Sequence, residues 1–211
     1  MKYFLSLNIV FILLLTACDP VKKSQLSPSG KGSFKIPVWS SPFLKGFEKA
    51  LFHTSLDVAG KHLSGISIIK RTSDTSFHFT FANEIGMTYL DMEVFRKTYK
   101  ADYIFEALNR KSFLKVLWSD FSMMLFSSSE RKPVRMYLDN ESEESVYFFL
   151  RQSMYTWINT KEMNLTRLVG WSNYFDAVMI NFSEYDAGFP SEIKISNPRI
   201  RMVLTVSLLG H

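Results

Sequence analysis

The chain has 211 residues, of which 25 are Lys or Arg and 20 are Asp or Glu, so its formal charge of +5 is mild and spread along the sequence. A single cysteine excludes an intramolecular disulfide and a thiolate metal site, and no internal period supports a solenoid or propeller. The 19 phenylalanines, about twice what ordinary domain composition leads one to expect, ask for bulky apolar surface, either a large β core or a lined cavity.

Residues 1–17 read as a signal peptide, with Lys2 as the charged start and an apolar run from Tyr3 to Leu15. The run is too short for a spanning helix, which needs about 20 apolar residues. Its end, Leu15-Thr16-Ala17-Cys18, resembles the bacterial lipobox, in which diacylglycerol is attached to the cysteine thiol and cleavage leaves that cysteine first. The motif implies a membrane-lipid anchor through acylated Cys18, each buried CH₂ contributing about 0.8 kcal/mol. Asp19 resembles the inner-membrane retention signal of enteric bacteria. Residues 18–33, rich in Ser, Pro, Gly and Lys, read as a flexible tether reaching roughly 20 Å from the bilayer. Nucleic acid is not an expected partner behind such a leader, whereas a basic surface near anionic headgroups is.

The domain proper runs from 34 to 211. Pro37 and Pro42 argue against a long first element, and Pro42-Phe43-Leu44 favours a short helix. From Lys49 the pattern is β: Ala50, Phe52, Leu56 and Val58 alternate with polar residues, Gly60 turns the chain into Leu63–Arg71, and Ser73-Asp74 turns it into Ser76. The clearest hairpin is Ser76 to Phe95. Phe77, Phe79 and Phe81 share one face of its first strand and Leu90, Met92 and Val94 one face of its second. At the tip, Ile85 stands beside Gly86, an unusual place for a β-branched apolar residue. Such a side chain either folds back onto the core or meets something apolar outside. A fifth segment, Ala101, Tyr103 and Phe105, completes an antiparallel meander.

Asn109 caps a change of period. Phe113, Leu114, Leu117, Trp118, Phe121, Met124 and Leu125 recur at three and four, the mark of an amphipathic helix that must lie on the sheet. Further β segments follow at Val134–Leu138, at Ser145–Asn159 with a bend, and at Leu165–Trp171. The chain ends in three more strands: Ala177–Phe182, Phe189–Ile195 after a turn at Glu184–Gly188, and Ile200–Leu209 after the turn Asn197-Pro198.

With the tip Ile85-Gly86 between two apolar strands, and with Val178-Met179-Ile180, Phe189-Pro190 and Arg201–Leu208 closing the chain, the sequence resembles the lipoprotein-localisation family of LolA-like carriers and LolB-like outer-membrane receptors. The resemblance implies a mainly β (α+β) fold: a curved antiparallel sheet forming an incomplete β-barrel, covered by one or more helices over a cavity for acyl chains. Its lining would be Phe77, Phe79, Phe81, Leu90, Met92, Val94, Tyr103, Phe105, Leu117 and Phe121, although periodicity alone cannot separate a lined cavity from a packed core. The implied membrane-insertion tip is Ile85 with Gly86. The implied partners are a lipoprotein or lipid ligand and a periplasmic carrier, the location is the periplasmic side of the outer membrane rather than the inner, and a monomer is expected. Glu84 stands where the receptor commonly has proline, and 130–172 does not match the pattern.

No G-x-S-x-G, H-E-x-x-H, phosphate loop or C-x-x-C occurs, so neither enzyme activity, a cofactor nor a metal is expected. His53 and His78 fall on polar strand faces, near enough in pattern to neighbour one another, and read as surface residues, as do Asp91 and Glu93. The competing reading is a non-catalytic structural or accessory envelope lipoprotein that docks another protein.

Overall fold

The computed structural model describes residues 26–29, 39–44, 46–128, 135–149, 154–158, 164–173 and 176–210. The segment read as a signal peptide, Cys18 and most of the segment read as a tether lie outside these residues. Within them, 13 strands form one antiparallel sheet.

Its first half is the expected meander: β2 (Lys49–Val58), β3 (Lys61–Ser73), β4 (Ser76–Ala82), β5 (Thr88–Phe95) and β6 (Tyr99–Ile104). In β2 every second side chain is buried, from Ala50 through Phe52, Thr54 and Leu56 to Val58. The one polar residue in that row, Thr54, hydrogen-bonds Ser67 of β3 at 2.6 Å, so the pair crosses the interior satisfied. A turn at Ala59 and Gly60, both with positive φ, joins β2 to β3. The hairpin β4–β5 has the register that period two requires, with Phe77 opposite Val94, Phe79 opposite Met92 and Phe81 opposite Leu90.

The second half comprises β7 (Arg135–Asp139), β8 (Ser145–Phe149), β9 (Met154–Ile158), β10 (Leu165–Asn173), β11 (Asp176–Asp186), β12 (Phe189–Asn197) and β13 (Met202–Gly210). The expected bent segment 145–159 is two antiparallel strands, Val146 facing Trp157 and Tyr147 facing Thr156. β11 runs on to Asp186, past the Glu184 where a turn is predicted, and β13 starts after a 3-10 turn at Pro198–Ile200. The two halves join where β13 pairs with β2, Met202 opposite Val58. β6 and a three-residue β1 (Leu26–Pro28) are the free edges, so the sheet is curved but unclosed.

A three-residue part of the segment 18–33 is described, and it pairs with the sheet. Leu26, Ser27 and Pro28 pair with β7, Ser27 Oγ donates to Asn140 Oδ1 at 2.8 Å, and Leu26 packs against the cluster of Val146, Tyr155, Trp157 and Val169. Pro42–Leu44 is a hydrogen-bonded turn, Leu44 N to Ser41 O at 3.0 Å, where a short helix is predicted.

The helix α1 (Lys111–Phe126) links the halves and lies against the concave face, burying Phe113, Leu114, Leu117, Phe121, Met124, Leu125 and Phe126. Its other edge is tied by Trp118 Nε1 donating to Phe95 O at 3.0 Å. Its C-terminal end is tied by Ser41 Oγ donating to Met124 O at 2.6 Å.

Candidate functional site

The tip of the β4–β5 hairpin is built by Asn83. Its Oδ1 accepts from Met87 N at 2.8 Å and from Ile85 N at 3.2 Å, while the Asn83 N–H donates to Met87 O at 2.9 Å and its carbonyl accepts from Gly86 N at 3.0 Å. Gly86 takes φ +87, a left-handed backbone that an L side chain rarely adopts. These local bonds hold the loop in this turn. Ile85 therefore stands 90% exposed, with Met87 beside it at 43%. The tip is braced from behind as well, because a Cβ at Gly65 would collide with the Ala82 carbonyl at the strand end.

Beneath the helix, the side chains named as cavity lining are packed against one another. Phe77, Phe79, Phe81, Leu90, Met92, Val94, Leu117 and Phe121 are all 2% exposed or less. Phe79 meets Phe121 edge-on at 4.7 Å and Phe77 meets Phe126 at 5.3 Å. Phe105 is half-buried against Tyr89, 5.8 Å between rings. Tyr103 departs from the expectation, lying outward at 48% exposure. The cause is an irregularity in β5–β6: Asp91 pairs with Tyr103 but Met92 with Ala101, so Asp102 is the extra residue. A one-residue slip of this kind reverses the face of everything beyond it, and Ile104, opposite Leu90, takes the inward place.

Two arrangements escape a reading of the sequence. At the end of the barrel away from the tip, Phe43 gathers Phe47, Phe189 and Phe77, with centroids 4.9, 5.3 and 6.4 Å away. Under the helix, Asp120 is 1% exposed and accepts a hydrogen bond from Asn197 Nδ2 at 2.8 Å. Burial pushes its carboxyl up to about 7, against the lowering effect of the Asn197 bond. The signal was present, because Asp120 falls between Leu117 and Met124 in the apolar stripe of the helix.

The histidines do not assemble. His53 pairs with Ile66 and His78 with Lys70 on opposite sides of β3, four residues apart along it. His78 Nε2 instead lies 2.6 Å from Asp91 Oδ1 across the hairpin.

The described residues form an unclosed antiparallel half-barrel wrapped on one helix, with an apolar side chain exposed at the tip of one hairpin. Comparison with known proteins places the fold. No protein-family model and no curated protein matches the chain. Among solved structures, it is similar to a LolA superfamily protein of Nitrosomonas europaea, with TM-score 0.50 and 7% identity over 80% of this chain and 87% of that one. A DUF1329 family protein of Desulfovibrio piger follows at TM-score 0.40 and 9% identity, covering 78% and 85%. A putative outer membrane lipoprotein-sorting protein domain of Vibrio parahaemolyticus stands at 0.40 and 8%, with the same coverage. The first likeness is one of fold: an open, LolA-like β-barrel. Among the described residues no helix is long and apolar enough to cross a membrane.

Proposed function

We propose that this protein is a lipid-anchored, non-catalytic envelope protein that receives an acylated or amphipathic ligand at a membrane surface and helps deliver it to the outer membrane. Acylated Cys18 supplies the anchor and Ile85 the contact with the target bilayer. The observation that carries this reading is the tip, since a locked loop holding an isoleucine at 90% exposure has no use for it inside the fold. Burying one such side chain contributes about 1.5–3 kcal/mol, enough to bias docking but not to anchor, and that fits a division of labour with the acyl chains of Cys18. The open LolA-like barrel supplies the second support. In this conformation the phenylalanines of β4 fill the space below α1, so a ligand chain enters as α1 swings aside, replacing the contacts of Leu117 and Phe121.

The packed interior is also what favours the other reading, an accessory lipoprotein that docks a partner and carries no ligand. Two measurements separate them. Ile85→Glu is expected to leave the melting temperature unchanged and to reduce binding to phospholipid vesicles, and wild-type vesicle binding by that variant would defeat the tip assignment. Native mass spectrometry of the purified protein is expected to show co-purified lipid. A co-purified protein with no lipid would favour the accessory role.

A further inference from the structure

The rim that carries Ile85 also holds a pocket. Val58 pairs with both Lys61 and Met202, so the β2–β3 turn and the connection from Pro198 to Arg201 lie at one end of the sheet. Along the meander the chain next turns at that same end at the β4–β5 tip. The pocket encloses about 400 Å³, within the range of about 300–1,000 Å³ usual for small-molecule sites. Val58, Leu108 and Phe113 form a buried apolar floor, with Ile200 half-buried beside them. Around it stand Lys61, Arg110, Arg199 and Arg201, all exposed, and no lining residue is acidic. Among the described residues none of Lys61, Arg110 and Arg201 forms an ion pair. Asp57, on the neighbouring strand, is engaged by His62 at 2.7 Å.

The walls are held in place by backbone. Arg201 sits at φ 48, ψ 51, stabilised by its N–H donating to Pro198 O at 3.2 Å, and its carbonyl accepts from Ala59 N at 3.4 Å across the pocket. α1 begins on a third wall, where Ser112 and Phe113 line the space. Lys61, Arg110 and Arg201 are like charges beside one cavity whose lining holds no acidic residue, so they repel one another, and an anion among them relieves that repulsion. The oily floor below asks for an apolar group attached to the same molecule.

We propose that this pocket binds an anionic amphiphile, its charged head held by Lys61, Arg110 and Arg201 and its apolar portion laid over Val58, Leu108 and Phe113. The inference does not depend on Ile85 entering a bilayer or on anything entering the space under α1.

The test is calorimetric titration of the purified full-length chain with decyl phosphate below its micellar concentration, beside decyl maltoside and inorganic phosphate. Decyl phosphate is expected to bind one per chain, about tenfold or more tighter than either comparison compound, and to weaken as NaCl rises from about 0.05 to about 0.5 M. The double variant Lys61→Gln/Arg110→Gln, both exposed positions, is expected to melt like wild type and to lose about tenfold in affinity for decyl phosphate. Arg201→Asn, whose side chain tolerates the left-handed backbone, serves as a second probe with the same expected loss. Decyl maltoside binding as tightly, or unchanged affinity in both variants, would overturn the proposal, because a chain held only in the barrel interior is indifferent to these cations. Inorganic phosphate binding as tightly as decyl phosphate would also overturn it, by showing a plain anion site.

Discussion

The two ends of the barrel differ in what they show to solvent. Away from the tip, Phe43, Phe47, Phe77 and Phe189 close the interior ring against ring, with Phe43 fully buried and Phe47 stacked on Phe189 at 5.5 Å. At the tip end, Phe81 and Tyr89 still pack inside at 5.1 Å, but Ile85 and Met87 point out and exposed cations stand around the buried floor of Val58, Leu108 and Phe113. The difference teaches where stability resides and where binding is available. Side chains at the tip that touch nothing inside, such as Ile85, are free to vary without unfolding, whereas those of the sealed end are not. Phe43→Ala breaks the comparison from the sealed side: it empties a site that touches three other rings, and a loss of about 3–5 kcal/mol is expected, read as a lower urea midpoint with unchanged slope. A loss below about 1 kcal/mol would show that the cluster is packing surplus and that the two ends do not differ in this way.

Between the ends, Asp120 and Asn197 tie the helix to the sheet. Asn197 Oδ1 accepts from Arg199 N at 3.1 Å, which fixes the amide so that its Nδ2 faces Asp120. Because the folded carboxyl titrates at about 7 and the ordinary value is 3.8, the folded state holds a proton that the unfolded chain releases. The stabilisation is therefore fully present below about pH 4, is lost progressively as pH rises through 7, and is level above that. The total is on the order of 4 kcal/mol at most, from about 1.4 kcal/mol per pH decade. Asp120→Asn keeps an acceptor for Asn197 and cannot ionise, so it is expected to flatten the stability profile between pH 4.5 and 8.5 and to exceed wild type at the alkaline end. A variant whose melting temperature followed the wild-type curve across that range would place the titration elsewhere.

How much of this was legible in the sequence follows from what kind of order each part has. The Ser76–Phe95 hairpin is written in a period of two, and α1 in steps of three and four, so their inward faces could be named residue by residue. Tyr103 was assigned to the interior but faces out, because the extra residue Asp102 reverses the alternation and leaves no mark that distinguishes it from an ordinary strand residue. Phe43, Phe47 and Phe189 lack any shared period, since two belong to an irregular segment and one to a strand start some 140 residues on. Only the closing of the sheet brings them together. The cationic rim is hidden for the same reason, drawn as it is from a hairpin turn, a helix start and a 3-10 connection. Ile85 was legible as an anomaly, and its direction was decided by Asn83, whose side chain acts on its own loop.

That dependence gives a small expected effect on stability and the sharpest test of the open end. Asn83→Ala removes the acceptor for both Ile85 N and Met87 N while leaving Ile85 and every interior contact in place. The freed N–H groups lie in an exposed loop and find water, so the cost to the fold is expected to be about 1 kcal/mol or less. The tip, however, loses the bonds that hold Ile85 outward, and part of any membrane contact then goes to ordering the loop on arrival, roughly 1–2 kcal/mol for each residue fixed. Vesicle binding is expected to fall severalfold with little change in melting temperature. If it matched wild type, the direction of Ile85 would not depend on Asn83, and the stiffness of the rim would have no part in what the open end does.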